Sequence, residues 1–311
     1  MILIIGSNEE DHCKYIHDML QQRGEAVEYL DTRKIPLETL LCWCASQKDN
    51  AGYFKINGQK ILFNKIKSVY WRWNYGIPVN VEGNSPEAQH LAHMLDREIN
   101  SAVDSIFSSL NCLWLNSYKA IKLHMLKPYQ LFLMAQNNIR VPRTLVTNDK
   151  DIVMDFFRKN DEKVIFKPVR GGASTEKLTK EHILSDKMSD LITSPVQFQE
   201  MIEGVDIRVY CIKDKIFAAE IRANTLDFRD DVKAQIVPVE LPQEVQKDCL
   251  KTMELLDLKY TGIDIRQSVN GEYVFIEANP APMFIHFERM SGYPISQTLC
   301  DALAEGLVGA N

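Results

Sequence analysis

The chain has 311 residues, of which 45% are hydrophobic and 25% are charged. This composition is typical of a folded globular protein and argues against extended disorder or a coiled coil. The 36 Lys and Arg residues are outnumbered by 42 Asp and Glu residues, and the net charge of −6 argues against a protein that coats nucleic acid. No apolar run approaches the roughly 20 residues that span a bilayer. The seven cysteines are scattered without a CxxC pair, so we expect a cytoplasmic protein with reduced thiols and no membrane partner.

Strand and helix patterns alternate along the first third of the chain. Apolar runs predict strands, and apolar residues at helical spacing predict helices, with Pro86 suited to the first turn of the second helix. The predicted elements are strands within 1–7, 26–30, 68–73 and 113–116, and helices over 9–23 and 85–110. This order predicts a parallel α/β domain over residues 1–116.

The rest of the chain is richer in predicted hairpins. A helix over 118–137, which Pro128 is expected to break or restart, opens a second domain that we place at residues 117–195. A third domain is placed at residues 196–311. The predicted strands cover 143–148, 163–169, 196–202, 206–212, 215–224, 260–266 and 272–279, and helices cover 149–159, 180–191, 242–258 and the tail from 295. The expected fold class is α/β, becoming α+β in the C-terminal part.

The stretch from 260 to 279 predicts a β-hairpin that brings two carboxylates together. Asn270-Gly271 is a preferred two-residue hairpin turn, and with that turn Asp264 lies opposite Glu277 while Asn279 shares their face. The opposite face is expected to bury two apolar pairs, Ile263 with Ala278 and Ile265 with Ile276. Opposed carboxylates destabilise a sheet unless a cation lies between them, and oxygen ligands suit Mg²⁺ shared with a phosphate. The alternative is a solvated hairpin face whose charges avoid each other.

A lysine at a strand end offers a second contact for an anion. Lys167 ends an apolar strand and is followed by the loop RGGAST (170–175). Glycines allow the N–H groups of such a loop to surround a phosphate, which the lysine can then reach. The alternative is a simple turn with a solvated lysine.

Two arginines are predicted on the strand pair DIRVYCI and KIFAAEIRAN. Alternation along each strand is expected to place Arg208 and Arg222 on the polar side of one sheet. Arginine can bind phosphate or carboxylate through two parallel hydrogen bonds. The alternative for Arg222 is a surface ion pair with Glu220 or Asp206.

The order of these parts resembles the ATP-grasp superfamily. A strand lysine before a glycine loop is followed by QEMI, DIR, an arginine strand, GIDI and IEANP, from about residue 117 to the C-terminus. The preceding part resembles the pre-ATP-grasp domain. QEMI, DIR and GIDI are similar to RimK-type glutamate ligases. The motifs WRWN, LWLNSYKAIKLHMLKPYQLFLMAQNNIRVPRTLVTND and FERMSGYPIS resemble the microviridin-type peptide ligases, also called graspetide synthetases, which match more of the chain.

The resemblance implies roles for individual residues and a requirement for ATP and Mg²⁺. The implied sets are Lys127 and Lys167 for the phosphates, Glu200 and Met201 for the adenine through main-chain atoms, Asp206 on the nucleotide side, Asp264, Glu277 and Asn279 for Mg²⁺, and Arg222 and Arg208 as catalytic arginines. Segment 226–231, LDFRDD, departs from the glutamate ligases, which it matches only at Phe228 and Arg229. Its two aspartates are unfavourable beside a phosphate.

The resemblance also implies a reaction. Asp or Glu side chains of a ribosomally made precursor peptide would be activated by ATP as acyl phosphates. That step would release ADP, and attack by a Ser, Thr or Lys side chain of the same peptide would then close an ω-ester or ω-amide macrocycle with phosphate as the leaving group. The expected partner is a precursor peptide with a leader segment, and a homodimer is the default oligomer. The alternatives are a RimK-like ligase that adds an amino acid to a protein or peptide, and a non-catalytic ATP-binding regulator.

Overall fold

A computed structural model describes residues 1–45, 50–72, 74, 76–172, 174–222 and 235–307. The chain divides into two compact units. Unit 1 comprises Met1–Ala120, Asp257–Tyr260 and the chain from Ala281, and unit 2 comprises Ile121–Leu256 and Thr261–Pro280. The division into three domains that the sequence predicts is a finer one and stays a prediction. Within the described ranges, no helix combines the length and apolar character required to cross a membrane.

Unit 1 is built on a parallel sheet, as the alternating pattern predicts. Its elements up to residue 115 are β1 (Ile2–Ile5), α1 (Asp11–Gln22), β2 (Val27–Leu30), β3 (Leu40–Ala45), β4 (Asn50–Ile56), β5 (Gln59–Leu62), β6 (Ser68–Trp71), α2 (Pro86–Ser109) and β7 (Leu113–Leu115). The strand order is β2-β1-β6-β7, and each of these pairs is parallel. Ser85 caps α2 by accepting a hydrogen bond from Ala88 N, and Pro86 opens the helix as predicted. Strands β3, β4 and β5 form a separate antiparallel sheet that the sequence analysis left unassigned.

Unit 2 contains two sheets with helices between their strands. Helix α3 (Tyr118–His124) begins in unit 1 and ends in unit 2. The elements of unit 2 after it are α4 (Lys127–Gln136), β8 (Thr144–Thr147), α5 (Lys150–Lys159), β9 (Val164–Pro168), β10 (Glu176–Lys177), α6 (Lys180–Leu184), β11 (Val196–Glu200), β12 (Gly204–Ile212), β13 (Lys215–Arg222), β14 (Gln235–Pro238), α7 (Gln243–Leu255), β15 (Tyr260–Ser268) and β16 (Tyr273–Asn279). The predicted helix over 180–191 is shorter, because α6 ends at Leu184 and Asp186–Thr193 forms 3₁₀ turns. Unit 1 then resumes with α8 (Ile285–Ser291) and α9 (Ile295–Glu305).

The first sheet of unit 2 has an apolar face and a polar face. Its strand order is β10-β9-β11-β8. One face packs into a buried cluster formed by Val153, Phe157, Val164, Leu178, Leu191 and Phe198. Because side chains alternate along a strand, Lys167 on β9 and Gln197 on β11 lie on the other face. The register pairs Lys167 directly with Gln197.

The second sheet, ordered β14-β13-β12-β15-β16, contains the hairpin with the predicted carboxylate pair. The hydrogen bond from the Ser268 N–H to Glu272 O closes a loop of three residues, 269–271. Gly271, the last residue of this loop, has a φ of 84°. The predicted two-residue Asn270-Gly271 turn is therefore wrong. A β-bulge between Asp264 and Ile265 offsets the additional loop residue. The register beyond the bulge is the predicted one.

The bulge explains which cross-strand pairs are confirmed. Asp264 pairs with Glu277 and Ile263 pairs with Ala278, as predicted. Ile265, however, pairs with Phe275, so the predicted pairing of Ile265 with Ile276 is wrong. Ile276 is the additional residue on β16. Ile263, Ile265 and Ala278 are buried, as expected for the apolar face of the hairpin.

The register between β12 and β13 corrects the prediction for the two arginines. Asp206 pairs with Ile221, Arg208 with Ala219 and Ile212 with Lys215. Even-numbered residues of β12 therefore share a face with odd-numbered residues of β13. Arg208 and Arg222 lie on opposite faces of this sheet, and the prediction that they share one polar side is wrong.

Candidate active site

In unit 2, each of the two opposed carboxylates on the β15–β16 hairpin forms an ion pair with a cation from another element. Lys127 Nζ lies 2.9 Å from Oε1 and 3.0 Å from Oε2 of Glu277. Asp264, directly opposite Glu277, accepts a short hydrogen bond from Nη1 of Arg208 on β12. The chain itself thus places a cation beside each of the two opposed carboxylates, which relieves their mutual repulsion.

Lys127 reaches Glu277 because the helix restarts beside Pro128. α3 ends at His124, and α4 begins at Lys127 with the proline in its first turn. A Cβ built on Gly171 would lie 3.6 Å from Lys127 Nζ, so the glycine loop passes next to this ammonium. Gly171 has a φ of 97°, a backbone conformation that favours glycine. The two predicted phosphate-binding features, Lys127 and the glycine loop, therefore lie together.

Lys167 contributes a third cation to the same cluster. Burial lowers the pKa of Lys167, and its charge interacts with Glu277, Lys127 and Asp264. Burial alone would raise the pKa of Glu277, but the neighbouring cations outweigh it and hold that pKa below its ordinary value. With Arg208, the three cations exceed the two carboxylates by one positive charge. Such a surplus in a partly buried site attracts an anion.

Two residues that the sequence analysis missed hold Glu277 in place. The Nε2 of His124 lies 3.8 Å from Oε1 of Glu277, and its Nδ1 lies 3.1 Å from Nε2 of Gln130. The side-chain oxygen of the buried Gln130 accepts from Ala278 N at 3.4 Å, next to Glu277 on β16. Burial lowers the pKa of His124. The spacing of His124, Lys127 and Gln130 around the α3–α4 junction was the available signal.

The oxygen ligands on this face fit Mg²⁺ that is shared with a phosphate. Across the described ranges, no group of three or more His, Cys, Asp or Glu side chains is placed to hold a metal. Asp264 and Glu277 supply two carboxylates, and Asn279 lies two residues beyond Glu277 on the same strand face. Magnesium is commonly held by one or two carboxylates together with substrate phosphates. The residues present therefore fit Mg²⁺, and Asp264, Glu277 and Asn279 are the side chains that would hold it.

The bend at Glu200 and Met201, where the resemblance predicts adenine binding, forms hydrogen bonds with other segments of unit 2. The carboxylate of Glu200 accepts hydrogen bonds from the guanidinium groups of Arg140 and Arg143. Burial would raise the pKa of Glu200, but the hydrogen bond from the Arg143 N–H and the two guanidinium groups lower it overall. The backbone N–H of Glu200 donates to Arg143 O, and the backbone N–H of Met201 donates to Lys163 O, each at 2.9 Å. These two N–H groups are therefore engaged within the protein, and other main-chain atoms of the bend would have to contact an adenine.

The remaining predicted residues lie further along the second sheet. Asp206 forms an ion pair with Arg266 at 3.2 Å. Arg222 is exposed and pairs with Glu220 at 2.7 Å, which is the surface alternative considered for it. Of the two predicted arginines, Arg208 is the one that contacts the carboxylate cluster. Segment 226–231, with Phe228 and Arg229, lies outside the described residues.

Comparisons with known proteins identify the families that the two parts of the chain resemble. A model of the RimK-like ATP-grasp domain matches residues 126–303, and a model of the MvdD pre-ATP grasp domain matches residues 1–122. The ATP-grasp ligase PsnB, solved with a phosphomimetic variant of minimal precursor, Mg and ADP, is 30% identical. It superposes over 97% of both chains with a TM-score of 0.83.

Two further relatives extend the comparison. The macrocyclase MdnC of Microcystis aeruginosa, solved with the precursor peptide MdnA, has a TM-score of 0.82 at 22% identity, covering 97% of this chain and 98% of MdnC. That likeness shows the fold. The alpha-aminoadipate–LysW ligase LysX of Sulfolobus acidocaldarius is 27% identical over 58% of this chain and 69% of its own length.

Proposed function

The chain belongs to the RimK-like ATP-grasp family of ligases, and on that basis we propose that it closes macrocycles in a ribosomally made precursor peptide. Asp or Glu side chains of the peptide take the terminal phosphoryl group of ATP to form acyl phosphates, which releases ADP. Ser, Thr or Lys side chains then attack these acyl phosphates to form ω-esters or ω-amides, which releases phosphate. The observation that carries this proposal is the full-length likeness to PsnB, which includes both units of the chain. ATP supplies the phosphoryl group, and Mg²⁺ offsets its charge.

The charged cluster gives the chain's own residues clear roles. Lys127 and Lys167, beside the glycine loop, neutralise phosphate oxygens and draw the nucleotide into the site. Asp264, Glu277 and Asn279 would hold the metal. Positioning and charge neutralisation provide most of the catalysis in phosphoryl transfer, and no covalent enzyme intermediate is required.

Arg208 is the arginine to which we assign the neutralisation of the reacting anions. A peptide carboxylate and a terminal phosphate repel each other as they approach. Arg208 is buried, contacts Asp264, and remains protonated because the Asp264 charge outweighs the effect of burial and raises its pKa. A fixed guanidinium of this kind stabilises charge that develops during transfer. Arg222, on the other face, is not given this role.

The other proposed partners follow from the substrate. A variable core peptide is best recognised through a constant leader segment, which can order on binding. Modification of a leaderless core as fast as the full precursor would contradict this. A homodimer stays a prediction that light scattering checks, and the cytoplasm is the proposed location because ATP and ribosomal products are both present there.

A second candidate function is the transfer of an amino acid to a protein or peptide. The relatives LysX and three probable alpha-L-glutamate ligases, at 23–27% identity, favour it. Mass spectrometry of a candidate Thr- and Glu-rich peptide, incubated with ATP and the protein, separates the two. Loss of one water mass per bond supports macrocyclisation, whereas a gain of one residue mass supports ligation. Nucleotide binding without ADP formation would indicate a regulator.

A further inference from the structure

Gln130 on α4 joins the edge of the carboxylate-bearing sheet to the ring of His124. Strand β16 is the last strand of its described sheet, so the N–H groups on its outer side need partners from elsewhere. The side chain of Gln130 is buried, and its Oε1 accepts the hydrogen bond of one such group, Ala278 N, at 3.4 Å. Its Nε2 lies 3.1 Å from Nδ1 of His124. Both ends of this buried amide are therefore used within the protein.

These two contacts determine which nitrogen of His124 carries the proton. A backbone N–H can only donate, so the amide atom that faces Ala278 is the oxygen and the atom that faces His124 is the nitrogen. The amide NH₂ group can only donate in turn, so Nδ1 of the ring is the acceptor. A ring with an unprotonated Nδ1 carries its proton on Nε2.

The Nε2–H group of His124 faces Glu277, one of the proposed metal ligands. Nε2 lies 3.8 Å from Oε1 of Glu277, and the ring also interacts with the backbone of Ala278. An N–H directed at a carboxylate attracts it, whereas an unprotonated Nε2 would repel it, because both groups would then be acceptors. Gln130 thus acts on Glu277 from two sides, through the imidazole ring and through the backbone of the next residue.

We propose that Gln130 is a positioning residue for the metal site. By fixing the His124 tautomer and the backbone at Ala278, it holds the Glu277 carboxylate in the orientation that the metal requires. Groups that orient a metal ligand without contacting the metal typically change metal affinity by about 10-fold to 100-fold when they are replaced. This inference rests on the proposed function, which requires Mg²⁺ at Glu277.

The tautomer can be measured without nucleotide or metal. Long-range ¹H–¹⁵N NMR spectra of wild-type protein labelled with ¹⁵N-histidine, recorded at pH 8, should show a protonated Nε2 and an unprotonated Nδ1 for His124. The His124 signals are assigned by their loss in His124→Asn. A protonated Nδ1 in the wild type would overturn the inference, whether or not any Gln130 variant folds.

A variant links Gln130 to the metal. Gln130→Met keeps the length of the side chain and removes both hydrogen bonds. The probe is Mn²⁺, which suits the same oxygen ligands as Mg²⁺. The free Mn²⁺ concentration that half-saturates the protein–ADP complex, followed by electron paramagnetic resonance, should rise about tenfold or more, whereas ADP affinity without metal should not change. Equal Mn²⁺ affinity in variant and wild type, or an equal loss of metal-free ADP affinity, would overturn the inference.

A matched control separates positioning from the loss of any amide hydrogen bond. Gln246 on α7 donates from Nε2 to Leu241 O at 2.7 Å. Gln246→Met should lower Tm, as Gln130→Met does, but leave the Mn²⁺ affinity unchanged. A tenfold loss of Mn²⁺ affinity in both variants would overturn the inference. If the wild-type protein–ADP complex bound no Mn²⁺, the proposed function would fall together with it, whereas Mn²⁺ binding that Gln130→Met leaves intact would overturn the inference alone.

Discussion

Two carboxylate networks, one in each unit, differ in how completely the chain satisfies them. In unit 1, Glu10 accepts hydrogen bonds from Cys13 N at 2.7 Å, His12 Nδ1 at 3.0 Å and Arg72 Nε at 3.0 Å. Arg72 is buried and also donates to Ala281 O at 2.6 Å. Each charge in this network therefore has close partners from the chain itself.

The network in unit 2 is less balanced. Three cations lie around two carboxylates, and the side chain of Asp264 is 40% exposed. A balanced, buried network contributes to the fold, whereas a surplus of charge in a partly exposed cluster attracts a ligand of opposite charge. The comparison therefore separates structural charges from functional ones, and the experiments below test that separation.

The largest effect is expected from the carboxylate pair in unit 2. Asp264→Asn and Glu277→Gln should each lower product formation by about 10³-fold or more, since each removes charge from the proposed metal site. Circular dichroism should show a folded protein, although Asp264→Asn should lower Tm because Arg208 stays buried without its partner. The control is Glu244→Gln, which breaks only a surface pair with Lys247. Full activity in either variant would contradict the metal assignment.

Glu10 in unit 1 should affect stability instead of chemistry. Burial opposes its charge, but His12, Arg72 and the Cys13 N–H lower the pKa of Glu10 from 4.5 to about 2. A pKa lowered by folding stabilises the protein above the unfolded pKa, and that contribution is lost as pH falls from 4.5 towards 2. Glu10→Gln should cost about 3 kcal/mol at pH 7.

Urea denaturation at two pH values checks the sign for Glu10. The difference in unfolding free energy between wild type and Glu10→Gln should shrink at pH 3, where protonation has already removed part of the wild-type advantage. A difference that stays constant between pH 7 and pH 3 would show that Glu10 does not act through its charge.

A smaller effect is expected for Lys167. Lys167→Met keeps the apolar stem and removes the charge, so ADP affinity should fall about tenfold, as for a lost charge-assisted hydrogen bond. Lys163→Met is the matched control, because its ammonium pairs with Glu203 at the surface, at 3.0 Å. If calorimetry gave the same dissociation constant for ADP with Lys167→Met and with wild type, phosphate binding by Lys167 would be contradicted, and the alternative of a simple turn would stand.

The hairpin shows how far the sequence could predict the site. The opposition of Asp264 and Glu277 is confirmed, although the loop has three residues where the Asn-Gly signal indicated two. A bulge at Ile276 restores the register. Turn propensity predicts where a hairpin reverses, but the conformation of each loop residue depends on the twist of the flanking strands and on packing.

Other residues of the site depend on contacts between distant elements. The alternation of polar and apolar residues predicts which side chains share a face within β12 or within β13. The relation between the two strands depends on the turn, and the two-residue turn at 213–214 places even-numbered residues of β12 opposite odd-numbered residues of β13. His124 and Gln130 lie in the stretch 113–149 that resembles the peptide ligases, but their contacts depend on which strands and helices face each other. Sequence patterns therefore identified the charged ligands and missed the side chains that position them.

The smallest effect is expected for Arg222, which tests the face assignment most directly. Arg222 is exposed, and its hydrogen bond with Glu220 raises its pKa. Arg208 lies on the other face of the sheet, beside Asp264. Arg222→Ala should change the single-turnover rate by no more than about twofold, as is usual for surface substitutions. Arg208→Ala should lower that rate by about 10²-fold.

Measuring both arginine variants in one assay sharpens the result, since peptide, nucleotide and metal concentrations are then shared. Arg208→Lys should recover only part of the rate, because an ammonium lacks the fork geometry of a guanidinium. A 10²-fold loss in Arg222→Ala would contradict the expectation for this residue. It would mean that the exposed face of β13 takes part in the reaction, and that the surplus charge beside Asp264 is not sufficient to identify the reacting face.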